Sequence, residues 1–226
     1  ERTSIQTAFN TASTNWESTI PGVNFVDLTP TGGCADGTSS INGQTVFFDV
    51  RKNQRCVTST GATCTQGSAG CTCTANCTSG CTFGAAGCAC GTASSFFPRD
   101  TSRSARFVNL MRGLYDAGRT VSATLMTHEL GHTLGFRHEW NNASFTLPAG
   151  CSREASPSVS LSGADAQSVM AYPTGATCGT SSPSYVISAL DGEAARCVYV
   201  EDANTSGVGY CKVYSVANGS GLSMGK

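Results

Sequence analysis

Along the first part of the chain the apolar positions recur at helical spacing. Ile5, Ala8, Phe9, Ala12 and Trp16 fall on one face, which predicts an amphipathic helix over Thr3 to Trp16, closed before Pro21. The pattern then changes to short runs rich in β-branched and aromatic residues. VNFVDL (Val23 to Leu28), TVFFDV (Thr45 to Val50) and SARFVNL (Ser104 to Leu110) each read as a strand, with Gly, Pro and Asn separating the first two. A helix followed by strands predicts a mixed α/β sheet packed under that helix.

Helical spacing returns in TVSATLMTHELGHTL, where Leu125, Met126, Leu130 and Leu134 are apolar and no Gly or Pro precedes Gly131. A second helix is predicted over Thr120 to Leu134. Beyond residue 139 the pattern is that of loops until SALDGEAARCVYV, Ser188 to Val200. There Ser188 stands as an N-cap, Asp191 follows three residues later, and Ala195, Val198 and Tyr199 keep helical spacing, so a C-terminal helix is predicted.

Composition narrows the picture. With 226 residues the chain fits one domain built as two lobes around a cleft, residues 1–138 and 139–226. The net charge is -1, charged residues make up 13%, and no run of Lys or Arg forms a basic stripe. A nucleic-acid partner is therefore not expected, and no apolar run approaches a membrane span. The 13 cysteines point to an oxidising compartment and to secretion, since a reducing cytosol would leave so many thiols free. The chain starts at Glu1 with neither Met nor an apolar leader, as expected of a protein shorn of signal and pro-segments. An odd cysteine count leaves at least one that is free, paired outside this chain, or holding a ligand.

The insertion Cys56 to Cys90 carries eight of these cysteines among Thr, Ser, Gly and Ala, with Phe83 as its one aromatic residue. It cannot build an apolar core and must be cross-linked. A disulfide-stapled surface insertion is the expected state in an oxidising compartment. The alternative is a thiolate cluster for a soft metal, served by the C-x-C pairs Cys71/Cys73 and Cys88/Cys90. Elsewhere Cys197 with Cys211, and Cys151 with Cys178, are candidate pairs, although spacing does not determine connectivity.

The three histidines of the chain, His128, His132 and His138, all lie in HELGHTLGFRHE. His128 and His132 are four apart on the predicted helix, so they point from one face, one turn apart. Six further residues of helix would advance about 600° and carry His138 off that face. The helix must therefore stop, and Gly135 stands where the left-handed conformation that ends helices is needed. Three neutral imidazoles suit one Zn²⁺ and leave a fourth position open, which marks a catalytic site. Glu129 is placed to take a proton from a zinc-activated water, and later to pass it to a leaving amine. The expected reaction is amide hydrolysis.

H-E-x-x-H-x-x-G-x-x-H followed by SVMAY (Ser168 to Tyr172) resembles the metzincin zinc endopeptidases, whose signature is this motif and a downstream Met-turn. GFRHEW, with Met170 and Tyr172, is similar to the astacin group, and HELGHTLGFRH to secreted bacterial peptidases of the HEIGH type. The resemblance implies that Met170 lies in a floor beneath the imidazoles. It implies that Tyr172 ligates zinc and swings away to stabilise the oxyanion, and that SALDGEAARCVY is the helix following the Met-turn. Protein or peptide substrates would bind extended against an exposed edge strand, for which SARFVNL is the candidate. Glu139 matches a residue that receives the mature N-terminus in the astacins. In the clan a strand usually precedes the first long helix, whereas this chain opens with the helix.

The fold expected is thus α/β (α+β), with a mixed twisted sheet and two long helices in the first lobe and one helix in a loop-rich second lobe. The expected protein is a secreted, monomeric zinc endopeptidase. A rival from another class is a secreted binding protein whose working surface is the Cys-rich insertion and whose zinc site is idle. The insertion also reads as an exosite or lid, and the odd cysteine as a latency ligand. Cleavage specificity and calcium dependence have no readable signature.

Overall fold

The computed structural model describes residues 2–30, 39–53, 56–58, 63–64, 81–82, 88–90, 93–100, 102–111, 120–155, 158–172, 178–179, 186–199 and 215–216. The fold is mixed α/β, with three α-helices and small sheets among these residues. Helix α1 spans Arg2–Thr19, α2 Ala123–Thr133 and α3 Ala189–Tyr199. Each covers a segment whose apolar positions recur at helical spacing, and the bounds differ from the predicted ones by a few residues. By packing the chain divides into two compact units, Glu1–Ala8 with Asp27–Leu134, and Phe9–Val26 with Gly135–Lys226.

The first unit contains a hairpin of β1 (Ser40–Ile41) and β2 (Gln44–Thr45). Its turn is Asn42-Gly43, both at positive φ of 50° and 78°, the combination that a two-residue hairpin turn requires. Next comes β3 (Asp49–Asn53). Four short strands follow in the Cys-rich insertion: β4 (Cys56–Thr58), β5 (Thr63–Cys64), β6 (Cys81–Thr82) and β7 (Cys88–Cys90). They pair antiparallel in the order β5-β4-β7-β6. The cross-links expected there lie outside the described residues. A three-stranded sheet combines β3 with β8 (Ala93–Ser94) and β9 (Phe107–Met111), in the order β3-β9-β8. In it β9 runs parallel to β3 and antiparallel to β8. Val46, Phe96, Val108, Leu110, Val121, Met126 and Leu130 supply this unit's buried apolar side chains.

Three strand expectations need correction. Val23 to Leu28 is not a strand. The Phe25 N–H donates to Glu17 Oε1 at 2.7 Å and its ring meets Phe9 edge-on at 6.4 Å. Helix α1 thus satisfies the backbone that a neighbouring strand would otherwise pair. TVFFDV is divided: Thr45 ends β2, Asp49 opens β3, and the Phe48 ring between them packs against Phe96 at 5.5 Å. SARFVNL likewise begins with a 3₁₀ turn at Arg103–Ala105 and is a strand from Phe107. It is also the central strand of its sheet, so it cannot be the edge that pairs with a substrate. Among the described residues β3 and β8 are the outer strands on either side of it.

The second unit is built from short polar-braced turns and two helical faces. Ala12, Trp16, Ile20, Val169 and Ala195 are buried, and Trp16 stacks on Phe136 at 5.4 Å. Strands β10 (Val159–Ser160) and β11 (Ser215–Val216) pair antiparallel. Cys151 and Cys178 form a disulfide across 27 residues, restricting the unfolded chain. Cys197 is disulfide-bonded too, and its candidate partner Cys211 lies outside the described residues. Helix α3 starts in a reciprocal cap: the Asp191 N–H donates to Ser188 Oγ at 2.9 Å, and the Ser188 N–H to Asp191 Oδ2 at 3.0 Å.

In the first unit, Asp49 at the start of β3 is gripped by the Arg103 guanidinium through two bonds of 2.6 and 3.1 Å. The aspartate side chain is 8% exposed and the arginine 18%, so removing one partner leaves a buried charge uncompensated. Arg103→Met should lower folding stability by about 3 kcal/mol, read from the urea midpoint, and replacing Asp49 and Arg103 together by apolar residues should recover most of it.

Candidate metal centre

Helix α2 has a composition at odds with its burial. Every residue from Met126 to Thr133 is buried, although His128, Glu129 and His132 are among them. A helix buried on all sides is ordinarily apolar on all sides, because each unsatisfied polar group costs free energy. The two threonines bond back into the helix, Thr127 Oγ1 to the Ala123 carbonyl and Thr133 Oγ1 to that of Leu130. His132 is met edge-on by the Phe97 ring at 5.3 Å, and His128 lies edge-on to His132 at 4.8 Å.

The helix ends where it has to. Leu134 is still in the right-handed region, and its N–H donates to the carbonyls of Leu130 and Gly131, both at 3.1 Å. Gly135 then takes φ +95°, which reverses the chain after the last turn without a Cβ clash. Four residues beyond Leu134 the chain delivers His138. The donor atoms of His128, His132 and His138 all lie within 4.8 Å of one another, and among the described residues this is the cluster able to hold a metal ion.

The surroundings of the cluster fit a cation. Glu129 is 4% exposed, and its Oε2 is buried with no hydrogen-bond partner. Burial pushes its carboxyl up to about 8. A divalent cation beside it would favour the charged form and pull that value down. An acceptor left in this way on the helix that carries His128 and His132 is costly in an apolar interior and useful beside a metal.

His138 is held from three sides. Its ring stacks on Trp140 at 4.0 Å with the planes 8° apart, and Tyr172 packs edge-on against it at 4.8 Å. Its Nδ1 lies 2.8 Å from Glu154 Oε1. The bond from His138 holds the Glu154 carboxyl down to about 2 against the effect of burial, and Asn141 and Arg137 add to it.

Met170 is buried, and its carbonyl accepts the Glu139 N–H at 3.1 Å, directly tying the Met-turn to the residue after His138. The Met170 N–H donates to Ser168 Oγ, which donates to Asp191 Oδ1 at 2.6 Å, while the Val169 N–H reaches Asp191 Oδ2 at 2.8 Å. The cap of α3 and the Met-turn are therefore one network, centred on a carboxylate whose pKa burial raises against these donors. Glu139, raised to about 8 chiefly by burial, accepts the Asp165 N–H at 2.8 Å and Asn142 Nδ2 at 3.2 Å.

His128, His132 and His138 come together, Glu129 is on the same buried helix, Gly135 makes the turn, and Met170 and Tyr172 sit in the Met-turn segment. Sequence reasoning missed Glu154, Trp140, Phe97 and the link from Asp191 to Ser168. Trp140 was findable as an aromatic two residues beyond the motif. Glu154 was not, since it reaches His138 through a loop that Arg153 braces by donating to the carbonyls of Asn142, Ala143 and Phe145.

A buried helix carrying H-E-x-x-H, a glycine stop, a third histidine and a Met-turn define a metal-binding hydrolase of the metallopeptidase class. The family model described as the dual-action HEIGH metallo-peptidases matches residues 48–197, about two thirds of the chain, and the chain belongs to that family. No curated protein matches it, and no solved structure does. The resemblance read from HELGHTLGFRH is thus borne out at the level of the family.

Gly135 adopts a conformation that L side chains rarely take. Gly135→Ala should cost about 1 kcal/mol of stability and weaken metal uptake further by moving His138, with thermal unfolding and chelator competition measuring the two effects separately. Asp191→Ala should loosen the Met-turn as well as the α3 cap, lowering the urea midpoint by more than the roughly 1 kcal/mol expected for a lost cap alone.

Proposed function

We propose that the chain is a secreted zinc endopeptidase, acting as a monomer on protein or peptide substrates. The observation that carries this reading is the convergence of His138 with His128 and His132, the latter two on a buried helix whose glutamate has an unpartnered buried oxygen. Three imidazoles are a donor set that suits zinc and leaves one position for water or substrate. Zinc held by them would supply Lewis acidity and lower the pKa of a water to about 7.

The chain's own residues do the rest. Glu129 accepts the proton from the attacking water and returns it to the leaving amine. The Tyr172 phenol would donate to the carbonyl oxygen as negative charge develops, and the family resemblance would add it to the residues that hold the zinc. Met170 supports the imidazoles. Strand β8 supplies the edge for an extended substrate, as it is one of the two outer strands beside β9 and its chain leads within three residues to Phe97, which packs on His132.

Secretion is supported by the cysteine content and by the Cys151–Cys178 disulfide, since such bonds persist in oxidising compartments. No described helix is long and apolar enough to cross a membrane, and the near-neutral charge offers nothing to nucleic acid. The Cys-rich insertion would act as an exosite that selects large substrates.

Purified protein should contain one zinc per chain by elemental analysis and cleave unfolded casein until 1,10-phenanthroline removes the metal, with activity returning on added zinc. Glu129→Gln should keep the zinc and lose about 10²–10⁴-fold in kcat. Protein that cleaves equally well with this variant, or without zinc, would refute the proposal and favour a binding role in which the site is idle.

A further inference from the structure

The three histidines are oriented by different means. His128 and His132 take their directions from α2, four residues apart on a rigid element. His138 lies beyond the helix, in a loop, so the backbone alone does not fix its ring. Its stack on Trp140 and edge contact with Tyr172 hold the plane of the ring, with centroid separations of 4.0 and 4.8 Å. Neither contact distinguishes a ring from the same ring flipped by half a turn about its Cβ–Cγ bond. Stacking therefore leaves open which nitrogen faces the cluster.

The hydrogen bond from Nδ1 to Glu154 Oε1, at 2.8 Å, settles that choice. An ionised carboxylate only accepts, so Nδ1 carries the hydrogen, and in the neutral ring that binds a metal Nε2 then keeps the lone pair. Glu154 is itself fixed. Its other oxygen accepts from the Arg137 guanidinium. Its backbone N–H donates to Asn141 Oδ1 at 2.7 Å, and Asn141 Nδ2 donates back to the His138 carbonyl at 3.3 Å. The ring and its own backbone are thus clamped by one short circuit of residues.

We propose that Glu154 is the positioning residue of the site, setting the tautomer and flip state of His138 so that Nε2 is presented to the metal. The inference rests on the zinc-peptidase reading and adds to it a residue that touches neither substrate nor reacting atoms. Metal-ligating histidines commonly use a carboxylate in this way, and losing it weakens metal binding. Arg137 serves the carboxylate as Glu154 serves the imidazole.

The test uses the full chain, with zinc affinity measured by competition against a chromophoric chelator. Long-range ¹H–¹⁵N spectra of the zinc-loaded protein would report the ring nitrogens. The parent should show a protected Nδ1 proton on His138. Glu154→Ala should lose that signal and bind zinc about 10–100-fold more weakly. Glu154→Gln, which preserves shape and therefore folding, should bind about 10-fold more weakly and show faster exchange of the same proton. The Gln variant carries the test if the Ala variant does not fold. Folded variants that bind zinc within about twofold of the parent, or keep the protected proton, overturn the assignment. A parent that takes up no zinc at all would sink the zinc reading itself, and the role of Glu154 with it.

Discussion

The termination of helix α2 governs the metal centre. Two histidines four apart come free with any helix, but a third at the next six residues requires that the helix stop and the chain turn within one residue. Glycine at position 135, at φ +95°, is what makes that turn cheap. If the helix ran on, His138 would point away from the cluster, and the site would be a two-point chelate. The same turn sends the chain into the Glu139–Asn142 segment, whose hydrogen bonds to Met170 and Asp165 organise the loops that follow.

A second constraint follows from burial. Helix α2 is enclosed along Met126–Thr133, so its His and Glu side chains are there at a cost that packing alone does not repay. Such a cost persists in a fold when the polar groups have work to do. In the second unit the opposite strategy holds. Half-buried carboxylates at Glu139 and Asp191 are surrounded by backbone N–H groups and side-chain donors, and each joins segments distant in sequence. One enclosure leaves an acceptor open for chemistry, while the other satisfies its acceptors and so builds a scaffold from loops.

The helices were legible because their apolar spacing is a local property, and so was the α3 cap, since Ser188 and Asp191 satisfy each other across one turn. The strands were read less well. VNFVDL has the composition of a strand, yet Glu17 and Phe9 of α1 satisfy its backbone and ring. SARFVNL was recognised as strand-forming but its rank in the sheet was not, because centre and edge depend on which segments arrive on each side. Here β3 and β8 arrive from 58 and 17 residues upstream in register, Arg51 beside Asn109 and Ala93 beside Leu110.

By itself the sequence determined the cluster of three histidines, the stop at Gly135, the placing of Glu129 on the same helix as His128 and His132, and the position of Met170 downstream, since all of these lie in short segments where spacing translates directly into geometry. Only the tertiary structure decided that α2 is buried on every side, that β9 is central, that Asp191 braces the Met-turn and that Glu154 reaches His138. Those contacts join residues that composition leaves equally free to meet others, and it is the closing of loops, such as the one Arg153 holds through three carbonyls, that selects among them.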